Sequence, residues 1–443
     1  MGKAMKNSGV EWIEEIPKDW KVYNIRHEFS FGKGLPITKD DLRDSGEPVI
    51  SYGQIHSKIN TGTTVKPALV RYVEDIYLNT HPDSLAQKGD LIVADTSEDI
   101  AGCGNCIYID TDAPVFAGYH TIILRNKTDH NQRYLSYLFQ TDAWRSQIRK
   151  QVTGVKLFSI SQKILRSTSV IIPQNEDQQR IADFLDAECA RIDVVIEQAR
   201  TSIEEYKKLK QSTITEAVTK GIRPARNMKG SGVDWIGEIP EEWRIFRIAN
   251  LYDERNESGS ETLPILTVSI NTGISDHEIP DEEKTRAVVR SEDRSLYKRV
   301  RPGDLAYNMM RAWQGAFGAV RVEGMVSPAY VVAKPKADGV LDSRYIEALL
   351  RTPAAIEEMH RYSRGITDFR LRLYWPEFKN IRVCVPPLQE QIEIADYIDA
   401  RSAEIDELIQ KKQQLLSELE SYKKSLIYEY VTGKKEVKKN IHL

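Results

Sequence analysis

The side chains whose types and spacing could do chemistry fall into four clusters, and none of them is a catalytic set. In the first half of the chain Tyr52, Gln54, His56 and Lys58 alternate, and Thr153-Gly154-Val155-Lys156 stands just before the last expected strand of that half. In the second half Asn308, Arg311, Trp313 and Gln314 lie close together. Arg361, Arg364, Thr367, Arg370 and Arg372 follow, with Arg351 just upstream and Tyr362, Phe369 and Tyr374 interleaved. Amide and guanidinium groups read base edges in a DNA groove, and Lys and Arg hold phosphates. A lone Lys or Arg on a loop is usually just solvated, so the arginine-rich segment carries more weight as a unit than any one residue in it.

Enzymatic signatures are missing. No G-x-x-x-x-G-K-[ST] loop is present to cradle a triphosphate. The adjacent prolines Pro386-Pro387 lack an Asn/Asp-Pro-Pro-aromatic context, and there is no G-x-G-x-x-G turn. Gly102-Cys103-Gly104 does not open a helix, and His56, His81 and His120 form no spaced cluster. Cys103, Cys106, Cys189 and Cys384 are too sparse for a disulfide framework. The one C-x-x-C has neither a second pair nor two histidines at zinc-binding spacing. The expectation is no catalytic residue, no metal and no cofactor in this chain. The net charge of −3 is low for a self-sufficient DNA binder, because phosphate neutralisation dominates affinity. Basic residues must then be confined to one face, or partners must supply part of the positive surface. There is no apolar run of about 18 residues, and Met1 to Val10 is polar. Both point to a cytoplasmic protein with no membrane span.

What must position these clusters is a chain written twice. Ser8-Gly9-Val10-Glu11-Trp12-Ile13-Glu14-Glu15-Ile16-Pro17-Lys18-Asp19-Trp20 recurs from Ser231 to Trp243, and Ile181-Ala182-Asp183-Phe184-Leu185-Asp186-Ala187 recurs from Ile394 to Ala400. The second match holds without a gap from Pro173/Pro386 to Thr219/Thr432, while the stretches between diverge. Constant ends around variable middles suggest two similar modules with different targets. Duplication kept for packing alone does not explain why the middles differ more than the ends.

The constant ends read as long helices. Leu185, Cys189, Ile192, Ile196, Ala199, Ile203 and Tyr206 alternate by four and three, the seam of a coiled coil. The second copy gives Ile398, Ser402, Ile405, Ile409, Lys412, Leu416 and Leu419. Lys210 and Lys423 share one seam position; such residues either fix register or snorkel at a seam end. Gly221 and Gly433 supply C-terminal stops. A helix of this length spans about 70 Å at 1.5 Å per residue and needs a partner, most simply the other copy. Packed antiparallel, the helices would carry the modules at opposite ends, which the short linker 222–230 requires.

The expected organisation is an α+β module over 1–172, a long helix over 173–221, the linker 222–230, a second module over 231–385, a second helix over 386–433 and a basic tail over 434–443. Strands are expected at Glu47 to Tyr52, Asp90 to Ala94, Thr121 to Leu124, Tyr330 to Ala333 and Ile381 to Val385. One helix is expected over Gln132 to Gln151 and one over Ser343 to Tyr362. Gly89-Asp90 and Gly303-Asp304 turns precede a strand in each module, read as a curved sheet.

Several blocks together resemble the specificity subunit of type I restriction-modification systems. They are the Trp-Ile-x-x-Ile-Pro-x-x-Trp head of each half, Tyr52-Gly53-Gln54-Ile55, Asn308 to Ala316, Ser327-Pro328-Ala329-Tyr330, and Pro386-Pro387-Leu388-Gln389-Glu390-Gln391. The first copy departs from the last block, reading Pro173-Gln174-Asn175-Glu176-Asp177-Gln178. The resemblance covers essentially the whole chain in order. It implies two target-recognition domains, a bipartite asymmetric site on double-stranded DNA, and helices that dock partner subunits. Those partners would be methyltransferase subunits, two of them, and restriction subunits, with S-adenosylmethionine, ATP and Mg carried there and not here. The outer helix faces, with Glu204, Glu205, Lys207, Lys208, Lys411 and Lys412, are either that docking surface or a solvated face. Two other readings compete: a fused enzyme with its own methyltransferase, which the missing motifs oppose, and a coiled-coil adaptor or acidic DNA mimic, which the net charge leaves open.

Overall fold

The computed structural model describes residues 4–278, 293–337, 339–366 and 370–437. The chain divides into two compact units, Met1–Ala199 with Gln414–Leu443, and Arg200–Gln413. This differs from boundaries drawn at the helix ends, because the division cuts through both long helices, Asn175–Lys220 and Leu388–Val431. Each unit holds one module, half of the helix that follows it, and half of the other copy's helix. The apolar seam is the reason: half a helix buries its stripe only against the other copy.

In the first unit Leu185, Cys189, Ile192 and Ile196 are buried in one core with Leu426, Ile427 and Val431, and Leu416 and Leu419 pack half-buried against it. Phe184 stacks 4.5 Å from Tyr430, and Lys423 Nζ donates to Asp193 at 2.6 Å and 2.7 Å. Rising numbers on one helix meet falling numbers on the other, so the halves are antiparallel. In the second unit Ile203, Ile398 and Ile405 are buried and Ile409 is half-buried. There Lys210 Nζ donates to Asp406 at 2.8 Å and 2.7 Å. Each unit thus holds the same bridge with the roles of the two copies exchanged. The two seam lysines do not snorkel into water; each is committed to a carboxylate on the opposite helix, a contact that only one register allows.

Each helix ends on a glycine in the left-handed region, Gly221 at φ +78 and Gly433 at φ +72. A Cβ on Gly433 would lie 2.5 Å from the Pro17 ring, and one on Gly221 would lie 3.3 Å from Trp243. The tryptophan motif at the head of each module is therefore a seat for the end of the other copy's helix. Its second tryptophan, Trp20 or Trp243, is buried edge-on against Tyr134 or Tyr345, at 6.4 Å and 6.2 Å. The Tyr134 hydroxyl reaches Val431 O at 2.9 Å and Ile171 O at 3.1 Å. The Tyr345 hydroxyl reaches Val218 O at 2.9 Å and Cys384 O at 3.1 Å. Trp12 and Trp235 are half-buried, and the Trp12 indole donates to Ser169 Oγ at 2.9 Å.

Both modules are built on the same four-stranded antiparallel sheet. In the first unit its order is Cys106–Tyr108, Leu91–Ala94, Thr121–Asn126, Phe29–Lys33. In the second it is Phe317–Ala319, Leu305–Asn308, Tyr330–Pro335, Tyr252–Glu254. Leu91-Ile92-Val93-Ala94 is continuously apolar because both faces are covered. Leu91 and Val93 enter the helix-side core, while Ile92 and Ala94 enter a second core. That second core is completed by a sheet that contains Glu47–Ile50 paired in parallel with Val115–Ala117. The Gly-Asp turns are aspartate caps: Asp90 Oδ2 accepts from Gln87 N at 3.0 Å, and Asp304 Oδ2 from Arg301 N at 2.9 Å. Burial raises the pKa of both carboxyls despite the arginine beside each, Arg125 and Arg255.

Three expectations need correction. The single helix over Gln132 to Gln151 is two, Gln132–Phe139 and Asp142–Arg149, because Thr141 accepts from Trp144 N and starts a new helix. The helix over Ser343 to Tyr362 likewise breaks into Ser343–Leu350 and Pro353–Tyr362 at Thr352-Pro353. Tyr52 does not end a strand but opens the short helix Tyr52–Ile55.

Lys423→Asp sets two carboxylates together at one seam position and is expected to cost about 1–3 kcal/mol. Differential scanning calorimetry should show a lowered transition, largely recovered in the Lys423→Asp, Asp193→Lys double variant. No recovery would mean the pair does not set register.

Candidate nucleic-acid interface

In the first unit the two sequence-distant clusters meet beyond the end of the strand Leu91–Ala94. The chain leaving that strand forms Thr96–Ser97, which pairs with Phe158–Ser159, and Ile160 N donates to Asp95 O at 2.6 Å. The loop carrying Lys156 is thereby fixed beside the residues that follow the strand. This loop does not directly precede the last strand, as expected; a helix, Gln162–Ser167, intervenes before Ser169–Ile172. Thr153, Gly154, Val155 and Lys156 are all exposed, as is Lys58.

The other members of the first cluster are differently employed. Gln54 Oε1 accepts from Ser51 N at 3.1 Å, closing a capping box, so its carbonyl is spent on local structure. His56 Nε2 lies 2.8 Å from Thr96 O, and its Nδ1 lies 3.1 Å from Asn105 Nδ2. A carbonyl can only accept, so Nε2 carries the proton and Nδ1 accepts from the Asn105 amide. The half-buried Arg145 in turn donates to Asn105 Oδ1 at 2.7 Å and to Phe139 O at 3.0 Å. His56 is thus the outer link of a rigid chain running into the core.

Tyr52 is half-buried, with His56, Tyr119 and His120 edge-on at 6.2, 5.6 and 5.4 Å. The fold therefore gathers two of the histidines that sequence spacing left apart. His120 stands at φ +55, unusual for a residue with a side chain, and its Nδ1 lies 3.3 Å from both Thr96 Oγ1 and Asp95 Oδ1. Tyr119 and His120 were missed because their only signal is spatial: they open the strand beside Leu91–Ala94. No group of three or more His, Cys, Asp or Glu among the described residues could hold a metal. Burial pushes the Cys103 and Cys106 thiols up, which keeps them protonated.

The second unit uses the same location with other residues. Asn308 ends the matching strand, and its Oδ1 accepts from Met310 N at 3.0 Å. Burial raises the Tyr330 hydroxyl, held back by the charge of Arg311 and a hydrogen bond to the Asn308 side chain. The Trp313 indole donates to Met310 O at 3.1 Å, and its ring lies edge-on to His360 at 5.4 Å. Gly315 at φ +93 closes this turn, leaving Gln314 exposed and Arg311 half-exposed.

The later arginine segment is joined to that turn by Leu373 N donating to Met309 O at 2.8 Å. Arg364 and Arg372 exchange backbone hydrogen bonds at 2.9 Å, and both side chains are exposed, as is Arg370. Arg364 is paired with Glu377 at 2.6 Å, and Arg361, on the helix Pro353–Tyr362, is paired with Glu358 at 3.0 Å. Thr367 lies outside the described residues. Arg351 does not belong to this surface. Its guanidinium is turned inward, donating to Phe317 O, Ile270 O and Asn271 O at 2.7–2.8 Å.

The comparisons with known proteins agree with this architecture. Residues 17–205 match the type I restriction modification DNA specificity domain. The chain is 25% identical to the type I restriction enzyme MjaX specificity subunit of Methanocaldococcus jannaschii, over 96% of each chain. It is 24% identical to the MjaVIII specificity subunit of the same organism, over 66% of this chain and 68% of that one. A chain solved for the structural basis of complex assembly and conformational transition of the type I R-M system superposes with a TM-score of 0.64. The identity is 16%, over 95% of this chain and 99% of that one. Duplicated recognition modules on paired helices define a class of DNA-specificity proteins. Residues 17–205 carry that domain, and over nearly its whole length the chain is similar to type I restriction-modification specificity subunits.

Arg351→Ala strips three backbone carbonyls of a donor and should lower the melting temperature by several degrees. Arg372→Ala should leave melting unchanged and instead weaken DNA binding with a shallower salt slope, read by filter binding across a salt series.

Proposed function

We propose that the chain reads a bipartite, asymmetric site on double-stranded DNA, each unit taking one half-site. One observation carries this reading. In each unit, hydrogen bonds gather two clusters distant in sequence at the same end of the same sheet, through Thr96 in the first unit and through Leu373 N to Met309 O in the second, yet their side chains differ. A shared scaffold with unlike tips suits unlike half-sites. The first unit offers Tyr52, His120, Lys58 and Lys156, the second Arg311, Gln314, Arg370 and Arg372. Arginine and glutamine address guanine and adenine edges, and lysine addresses phosphates.

The chain performs no chemistry of its own on this reading. It places methyltransferase subunits, and restriction subunits where present, which bring S-adenosylmethionine, ATP and Mg. Methylation needs the adenine out of the stack, and the specificity subunit fixes which adenine lies under the partner. The paired helices set the spacing of the half-sites, which in dimeric readers lie about 34–36 Å apart. Their outer faces, where Lys207 pairs with Glu204 and Lys411 with Glu407, dock the partners. A cytoplasmic setting follows from that role; no helix among the described residues is long and apolar enough to cross a membrane.

Genome-wide adenine-methylation mapping with and without this gene tests the reading. One bipartite motif should vanish on deletion, and a methylome without any lost motif would refute it. Inserting one heptad into both helices should lengthen the spacer and leave both half-sites unchanged; changed half-sites would remove the helices from the spacing role.

A further inference from the structure

Two apolar side chains stand out of the surface in a way that single exposed hydrophobics do not. Ile366 is 96% exposed and Val155 is 95% exposed, whereas no other large apolar side chain among the described residues exceeds 57%. Scattered exposed hydrophobics are ordinary, but these two are not scattered. They occupy matching places in the two copies, each one residue after a glycine in the loop attached to the sheet end.

Both loops are built to present that residue. A Cβ on Gly154 would sit 2.2 Å from Leu157 O, and one on Gly365 would sit 2.7 Å from Arg370 O. At each glycine the returning arm leaves no room for a side chain, and the residue after it is the one that stands exposed. The surroundings are cationic: Lys156 adjoins Val155, and Arg364 and Arg370 flank Ile366. An apolar tip amid cations does not suit a protein-docking patch, which needs contiguous apolar area. It suits a polyanion that exposes isolated apolar groups. In the major groove that group is the C5 methyl of thymine. Valine is too short to wedge between stacked bases, so a methyl contact fits both copies where intercalation does not.

Resting on the recognition role proposed above, we infer that Val155 and Ile366 are specificity-determining contacts, each meeting a thymine methyl in the half-site read by its own unit. Lys156 in the first loop and Arg372 in the second hold the backbone phosphates, and the branched side chain fills the space over the methyl. Cytosine at that position, lacking the methyl, leaves the tip facing an amino group.

The test is methylation mapping in a host whose own copy is replaced by Val155→Ala, Val155→Ile or Ile366→Ala. Melting temperatures of the purified variants serve as the folding control. Val155→Ala should relax discrimination about 10-fold at one thymine-containing position of one half-site. Ile366→Ala should do the same in the other half-site, Val155→Ile should keep the wild-type motif, and melting should be unchanged. An unchanged motif in both alanine variants would overturn the inference, as would a uniform loss of methylation at all sites with melting intact. Either result leaves the recognition role standing, because that role falls only if deleting the gene removes no motif.

Discussion

A helix of 46 residues with one apolar stripe cannot be covered by the module it leaves, and that constraint shapes both units. The complementary stripe is the other copy's, and antiparallel pairing lets each helix end reach the head of the other copy's module. The Lys423–Asp193 and Lys210–Asp406 bridges hold the register from both sides. With register set, Gly433 arrives against Pro17 and Trp20, and Val431 O arrives at the Tyr134 hydroxyl. A slip by one helical turn would break all of these at once.

The arrangement has an unequal folding cost. The second unit is one contiguous stretch, 200–413, whereas the first joins residues 297 positions apart at Tyr134 and Val431. Closing a loop of that size costs entropy before the contacts repay it. The first unit can therefore close only after the second helix has been made. Each module also grips its own helix through an arginine. Arg133 donates to Asp186 in the first unit, and Arg344 reaches Asp396 and Asp399 in the second.

On this reciprocal frame the strand ends are free to vary. In the first unit a hydrogen-bonded chain from Arg145 through Asn105 stiffens His56 and orients Tyr52 and His120. In the second a glycine-closed turn and an arginine loop occupy the corresponding place. The scaffold residues recur in both copies because both perform the same packing. The tips differ because nothing in the packing depends on them.

Much of this was legible in residue order. The duplicated frame, the four-three apolar spacing and the glycine stops identify two modules and two helices, since repeats and periodicity are local properties written along the chain. Of the fourteen positions in the two four-three series, eight are buried and six half-buried. Only the tertiary structure decided which polar side chains remain available at the surface. Gln54 is consumed by a cap, His56 by two hydrogen bonds, Arg351 by three carbonyls, and Arg361 and Arg364 by carboxylates. A hydrogen-bonding group's role is set by its partner, and except for the near-neighbour partners of Gln54 and Arg361 those partners lie far away in the sequence. Periodicity reveals which face is buried, but only the folded chain reveals which donors are already spent.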